Sequence, residues 1–385
     1  MKKVMYFRLF LIMLCLVSLY VDGKTISKHI VSLAATGKIK SFQLDSDTRY
    51  NAFYLYPFED KTGKEYLSFL NYGSNQILFY DLETANFIFK INLPSDGPDA
   101  IVRLSGYYIE NFENIYLTSY SYKGIIKVDT TSHIISKIPY ARTVSGFDFL
   151  PSYVSSSHPY TAPYFIDGYL FLMPPLVKRS NPAEKTPLCV CIDTLSNKIF
   201  ESRITYGDVL SEEEMATNDT RCSRIFDGEN FVYSFYVNND IIVTDKKHKE
   251  IKRFAAKSAY IKSSREKQEV GLNGAKSNLE IPRYGDLIYD KYREVYYRFA
   301  YHKTELDDDM EWRGKAVYGR KKFSVIILDK EFNVIGETLF PESIYNSYVF
   351  FVKREGLYIS RDYRIGIGKQ SENYLTFELF ELRYS

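Results

Sequence analysis

The chain is short of the residues on which most enzyme chemistry rests. Among its 385 residues are four Cys, five His and one Trp. The histidines (His29, His133, His158, His248 and His302) form no His-x-x-x-His or Glu-x-x-His spacing. Imidazole metal sites and His-centred acid/base catalysis therefore lack support. His133 and His248 fall in predicted hairpin turns, where solvated side chains are expected. No Gly-x-Ser-x-Gly elbow and no glycine-rich phosphate loop occur, which removes common serine-hydrolase and nucleotide-binding signatures. No catalytic residue, metal or cofactor is assigned. With 13 Pro and 20 Gly, the chain is not a low-complexity or disordered one.

Long apolar runs are also scarce. The first one follows a basic start of Lys2, Lys3 and Arg8 and covers residues 9–21, broken by Ser18. It is shorter than the roughly 20 residues of a membrane span. Val21-Asp22-Gly23 then offers small or apolar residues where a signal peptidase reads. Residues 1–23 are expected to be a cleaved secretory signal, and residues 24–385 a single domain with no transmembrane span. Export across the inner membrane to a periplasmic or cell-surface location follows. Lipid anchoring through Cys15 is the alternative, against which Leu14 is larger than the small residue expected there.

Removing that segment takes three bases and one acid from totals of 50 and 48, leaving no formal charge. Nucleic-acid binders carry a basic face or stripe, and no such partner is expected. Arg320-Lys321-Lys322 reads as a solvated strand edge. Three Cys remain, and an odd number excludes a fully paired disulfide framework. Cys189 and Cys191 stand two apart on a predicted strand and share a face. They read as small core residues, with a bridge from Cys222 to either one as the alternative in an oxidising compartment.

What the chain does have is tyrosine and repetition. Aromatics make up 16% of it, 35 of them Tyr, and such residues favour half-buried pleated surfaces. Five times an apolar run ends in Asp and meets another apolar residue six positions later. The pairs are Asp81 with Phe87, Asp129 with Ile135, Asp193 with Ile199, Asp245 with Ile251, and Asp329 with Ile335. Asp side chains accept backbone amides two residues on and hold tight turns, so the five acids read as turn chemistry. Two strand-like runs precede each hairpin: 52–56 and 65–71, 106–110 and 114–119, 164–166 and 169–173, 222–227 and 231–237, 286–290 and 295–302. Each repeat is thus a four-stranded antiparallel sheet, the unit of a propeller. Three further runs, 348–352, 357–360 and 375–382, lack a fourth strand, and segment 38–44 is a spare one. The fold class is therefore all-β, a six-bladed β-propeller with its last blade closed by the N-terminal strand. About 40–45 residues per blade fit the length. The alternative is seven blades, with an extra one in 257–322.

Segments 151–163, 174–187, 257–284 and 303–322 fall between strands, and loops beyond about 12–15 residues are often functional or disordered. A short helix is expected around 259–267. Asn218-Asp219-Thr220 fits a glycosylation acceptor and hence a surface loop. The run from Asp307 to Glu311 lacks the alternating acids and Gly of an EF-hand and reads as a solvated acidic loop. Trp312 beside it offers a flat face to a sugar or to its own loop.

Two segments are more specific. Gly97-Pro98 is a stiff turn between the first two blades, placed to present amides and Asp99 to a ligand at the channel mouth. Residues 289–299 read as strand, turn and strand, with Val295, Tyr297 and Phe299 on one face and Tyr296 and Arg298 on the other. A buried Arg298 needs a partner, either an acid such as Asp290 or a ligand's carboxylate or phosphate.

On these two segments the chain resembles a family of secreted and lipid-anchored propeller proteins of gut anaerobic bacteria, a domain of unknown function. Its members share a Gly-Pro turn after the first blade and a Tyr-Asp-x-x-Arg-x-x-Tyr-Tyr-Arg-Phe segment in a late one. Here these are Gly97-Pro98 and residues 289–299, although Asp99-Ala100 stands where the family often has Asn-Gly. The resemblance implies a TolB-like six-bladed ring and no activity. The function expected is a non-enzymatic cell-envelope binding protein for a peptide, protein or glycan at the channel mouth. Its candidate contacts are Gly97, Pro98, Asp99, Asp290, Tyr297, Arg298 and Trp312. The alternative is a polysaccharide hydrolase or lyase with a carboxylate pair in the channel. The repeated Ser-x-Asp-x-Gly-x-Thr-Trp box of sialidases is absent.

Overall fold

Alternating apolar residues on both faces of each strand require each sheet to be covered twice, and a ring of sheets does this. The computed structural model describes residues 31–48, 55–71, 73–102, 104–119, 122–139, 142–147, 163–174, 185–217, 219–267, 272–306, 319–363 and 371–385. They form six four-stranded antiparallel sheets arranged as a six-bladed propeller. Blade 1 comprises Leu55–Glu59, Glu65–Asn71, Gln76–Asp81 and Phe87–Asn92. The innermost strands of blades 2 to 5 are Leu104–Asn111, Tyr164–Ile166, Cys222–Phe226 and Arg283–Asp290. Blade 6 runs outward from Asn346–Lys353 through Gly356–Ser360 and Tyr374–Tyr384 to Val31–Gln43.

The N-terminal strand therefore closes the ring. It pairs antiparallel with Tyr374–Tyr384 from Val31 opposite Tyr384 to Gln43 opposite Tyr374. It starts earlier than the 38–44 segment expected, with a register shift between Ala35 and Ile39 where Gly37 takes a φ of +74°. Its start also packs on blade 5, where Leu33 N donates to Thr338 Oγ1 at 2.7 Å. A Cβ on Gly336 would lie 1.7 Å from Val31 O, so this approach needs glycine.

Six apolar clusters fill the six seams, one between each pair of neighbouring blades. In Glu65–Asn71, Leu67 and Phe69 face blade 6 while Tyr66 and Leu70 face blade 2. Each fully buried Leu, Ile or Phe contributes about 1.5–3 kcal/mol, and the period-2 pattern distributes them to both faces.

The repeated Asp behaves as a turn residue. Asp81, Asp129, Asp193 and Asp245 each accept the amide two residues on, and Asp329 accepts that of Asn333. Each turn returns through one left-handed residue: Ala85, Ser132, Asn197, His248 or Phe332.

Several expectations need correction. Residues 259–267 are not helical. Ser258 and Ser263 bond the amides of Tyr260 and Arg265, and Ser264 bonds Val237 O, which competes with helix formation. Among the described residues the helices are Tyr206–Val209, Glu212–Ala216 and Leu272–Glu280, the last in the same connection. Residues 257–322 supply this helix and half of blade 5 rather than a seventh blade. His248 is buried, bonded to Tyr233 OH at 2.6 Å and packed on Phe231, because its turn folds back over blade 4. Burial first, then the Arg224 charge, lowers its pKa to about 3, so it stays neutral. Arg320 is buried rather than on a solvated edge. Cys189, Cys191 and Cys222 are free thiols, the first and third buried.

Candidate functional site

Antiparallel order puts the Asp turns at one end of blades 1 to 5 and the blade-to-blade connections at the other. On this second face, blades 4, 5 and 6 bring together a polar cluster. Arg221 stands just before the inner strand of blade 4, and Asp286 near the start of that of blade 5. Tyr348 stands near the start of the inner strand of blade 6. Tyr236 and Tyr301 end the second strands of blades 4 and 5, and Arg320 precedes the third strand of blade 5.

The local backbone explains the placement of Asp286. The pairing of Arg283–Asp290 with Val295–Tyr301 shifts register between Tyr284 and Leu287, a bulge that re-aims side chains. A Cβ on Gly285 would lie 2.3 Å from Tyr301 Cζ, so glycine lets the Tyr301 ring lie across the bulge. Asp286 then accepts Tyr236 OH at 2.9 Å and Tyr301 OH at 3.4 Å. Burial first, then the Asp286 charge, holds both phenols well above their usual pKa, and they remain neutral donors.

Asp219 is the keystone behind the cluster. It is 2% exposed. Its Oδ1 accepts Arg221 Nε at 2.8 Å, and its Oδ2 accepts Arg221 Nη2 at 2.7 Å and Arg283 Nε at 3.0 Å. Burial alone would raise its carboxyl, but Arg221 and Arg283 hold it at about 2. Arg283 also donates to the carbonyls of Ser264 and Pro282 (2.7 and 2.9 Å) and of Glu266. The segment expected to be a surface loop thus anchors the site.

Arg221 differs from its neighbours in exposure. Its side chain is 45% exposed although the groups around it are buried. It stacks over the Tyr236 ring at 4.9 Å and donates to Asn278 of the helix Leu272–Glu280. Arg320 donates to the carbonyls of Asn278 and Ile281 and lies over the Tyr301 ring at 5.2 Å.

Deeper along the inner strands runs a band of half-buried tyrosines. Tyr56 of blade 1 lies 6.0 Å from Tyr108 of blade 2, and Tyr108 lies 6.5 Å from Tyr164 of blade 3. Arg224 of blade 4 follows, 5.8 Å from the Tyr164 ring. Burial pushes Tyr164 up to about 12.

The residues singled out from sequence lie elsewhere. Gly97, Pro98 and Asp99 are exposed on the same face, in the connection between blades 1 and 2. Gly97 has a φ of +81° and accepts Ala100 N at 3.2 Å. Trp312 lies outside the described residues. Asp290, Tyr297 and Arg298 are fully buried. Asp290 sits on the opposite face and accepts Tyr292 N, Arg293 Nε and Tyr297 OH (3.0, 2.5 and 3.0 Å). Arg298 does not pair with it. Its nitrogens donate to Ser234 Oγ and to the carbonyls of Asn238, Asn239 and Ala256 in blade 4 (3.0, 2.6, 2.7 and 3.0 Å), and it stacks on Tyr284 at 3.8 Å.

The segment carrying the family resemblance is thereby a strut between blades. Tyr296 OH reaches Asp227 of blade 4 at 2.7 Å, and Arg293 donates to the carbonyls of Lys353 and Arg354 in blade 6. Tyr292 OH and Lys291 reach Glu65 and Glu59 of blade 1 (2.8 and 2.9 Å). Sequence reasoning missed the Arg and Tyr cluster. The signal was an Arg at the head of two successive inner strands, Thr220-Arg221 and Pro282-Arg283, with Gly285 marking the bulge.

A family model described as a domain of unknown function, DUF4221, matches residues 33–339. A crystal structure of a DUF4221 member from Bacteroides vulgatus is 27% identical, with a TM-score of 0.78 over 93% of this chain and all of that one. A Bacteroides fragilis protein described as a candidate exported protein is 12% identical, with a TM-score of 0.57 over 92% of this chain and 96% of that one. The second likeness concerns the fold alone. No curated protein matches the chain.

Proposed function

We propose a binding role for this chain, which belongs to the DUF4221 family, with the ligand seated where blades 4, 5 and 6 converge. The observation that carries this reading is Arg221. Its side chain is half-exposed in the midst of buried Tyr236, Asp286, Tyr301 and Arg320. A rigid, partly accessible cation flanked by phenols is a recognition group held ready. The tyrosine band below it adds flat, amphipathic surface suited to a peptide, protein or glycan. Gly97, Pro98 and Asp99 share the face and are proposed as peripheral contacts, with Trp312 proposed on its sequence position alone. Export to the periplasm or cell surface is part of the proposal and rests on the N-terminal basic, apolar and small-residue pattern. Among the described residues no helix is long and apolar enough to cross a membrane.

The carboxyl groups favour binding over catalysis. Asp219 and Asp286 do converge with Arg221, as a hydrolase or lyase would require. Both oxygens of Asp219 are held by Arg221 and Arg283, however, and those of Asp286 by two phenols that stay protonated. Neither is arranged to exchange a proton with a substrate. Screening the mature protein on glycan and peptide arrays, beside Arg221→Gln, tests the role. Ligands should be retained by the wild type and lost by the variant, which should melt lower because Asp219 keeps only Arg283 but hold a wild-type circular dichroism spectrum at the assay temperature. No ligand on either array, or ligands indifferent to Arg221→Gln, would overturn it. Turnover of a polysaccharide abolished by Asp286→Asn would favour the enzyme instead.

A further inference from the structure

Resting on the binding reading, we infer that the ligand carries a carboxylate and that this group seats against Arg221 and Arg320. Counting described groups in contact with one another, three guanidiniums (Arg221, Arg283, Arg320) meet two carboxyls (Asp219, Asp286). Among these described groups one positive charge has no counter-ion, in a site walled by tyrosine rings, and an uncompensated buried charge is costly.

Arg283 has donors taken up by Asp219 and by three backbone carbonyls. Arg320 meets only carbonyl dipoles and tyrosines among the described residues. Burial first, and then the charges of Arg221 and Arg283, weaken its hold on its proton against the opposing pull of Tyr348 and Tyr301. An added anion would relieve that repulsion. Arg221 presents Asp219 with its Nε and Nη2 edge, and its Nη1 meets no acceptor among the described residues. The Arg221 side chain is 45% exposed, and a planar guanidinium matches a planar carboxylate.

A single surplus charge is neutralised by a monoanion. A phosphate dianion, with three strong acceptors, would leave the site negative and meet the Asp219 and Asp286 carboxyls. Tyr348, half-buried beside Arg320, stays protonated because burial raises its pKa, and can donate to a carboxylate oxygen.

Calorimetric titration of the mature protein separates the outcomes. The probes are galacturonate with its methyl ester, trialanine with its C-terminal amide, and inorganic phosphate. One acid should bind with a Kd of about 1 mM or tighter, at least about tenfold tighter than its neutral partner. Arg221→Gln should abolish that preference while its circular dichroism spectrum at the titration temperature matches the wild type. Which acid wins distinguishes a sugar source from a peptide source. An ester or amide that binds as well as its acid, at a site sensitive to Arg221→Gln, would overturn the carboxylate and leave the binding role intact. Phosphate binding tighter than both acids would also overturn it, and so would failure of both acids to bind.

Discussion

The two sides of the ring bury different chemistry. Between blades 1 and 2 the seam is filled by Ile, Leu, Phe and Tyr, with a Ser68–Tyr107 hydroxyl contact at 3.0 Å. Between blades 4 and 5 an apolar cluster is crossed by Arg298, and Arg283 lies above it, both fully buried. Apolar packing accepts small shifts of register. A guanidinium that donates to four specified acceptors does not. The polar side thus fixes how blades 4, 5 and 6 sit on one another, and the Arg221 cluster is built on that side. The lesson extends to single residues. Asp219 and Asp362 are each 2% exposed. With two guanidiniums beside it, Asp219 is held at about 2. With Ser360 and the Thr376 amide as its partners, Asp362 is pushed by burial to about 7.

The largest difference between the two seams is expected at Arg298. Arg298→Ala should lower unfolding free energy by about 4 kcal/mol in urea melts, against about 3 kcal/mol for Leu117→Ala in the apolar seam. Arg298→Met should not recover the loss, because the carbonyls of Asn238, Asn239 and Ala256 would be left without their donor. A fully stable Met variant would make the polar seam ordinary packing.

The next effect is a pH dependence of opposite sign at the two aspartates. Asp362 has a folded pKa of about 7, above the ordinary aspartate value of 3.8. Between about pH 4 and 7 the folded chain keeps a proton that the unfolded chain has released, so its contribution falls as pH rises through that window. Asp362→Asn should therefore stabilise by about 2 kcal/mol at pH 8, roughly half the full linkage value because buried carboxylates draw in water, and change little at pH 4. Asp219, with its depressed pKa, contributes above pH 4 and loses that contribution as pH falls toward 2. Thermal melts of Asp362→Asn across pH 4–8 check the sign, and a flat difference from wild type would sink it.

The smallest effect should be alike on both sides. Asp129→Ala in blade 2 and Asp245→Ala in blade 4 each remove an acceptor for backbone amides at Thr131 and His133, or at Lys247, Lys249 and Glu250. Each should cost about 1 kcal/mol. A large gap between the two melting shifts would mean that the turn face, too, differs between the halves.

The turns, strands and closure were legible because their causes are local or periodic. A turn Asp bonds amides two residues away, and a strand shows its two buried faces every second residue. The Tyr289–Phe299 segment was legible as unusual but not as a strut, since Arg293, Tyr292 and Arg298 find their partners in three other blades. His248 was misplaced because its surroundings, Phe231 and Tyr233, come from the neighbouring strand. Arg320 sat among lysines in sequence and among tyrosines in space.

By itself the sequence determined the number of sheets, the order of their strands and the pairing of the first strand with the last. Those features follow from hydrogen-bonded turns and apolar alternation, which act over a few residues. The tertiary structure alone decided which charges meet. Asp219 finds Arg283, and Tyr236 finds Asp286, only because the ring brings separate blades to one face, and electrostatic neighbours are set by distance in space rather than along the chain.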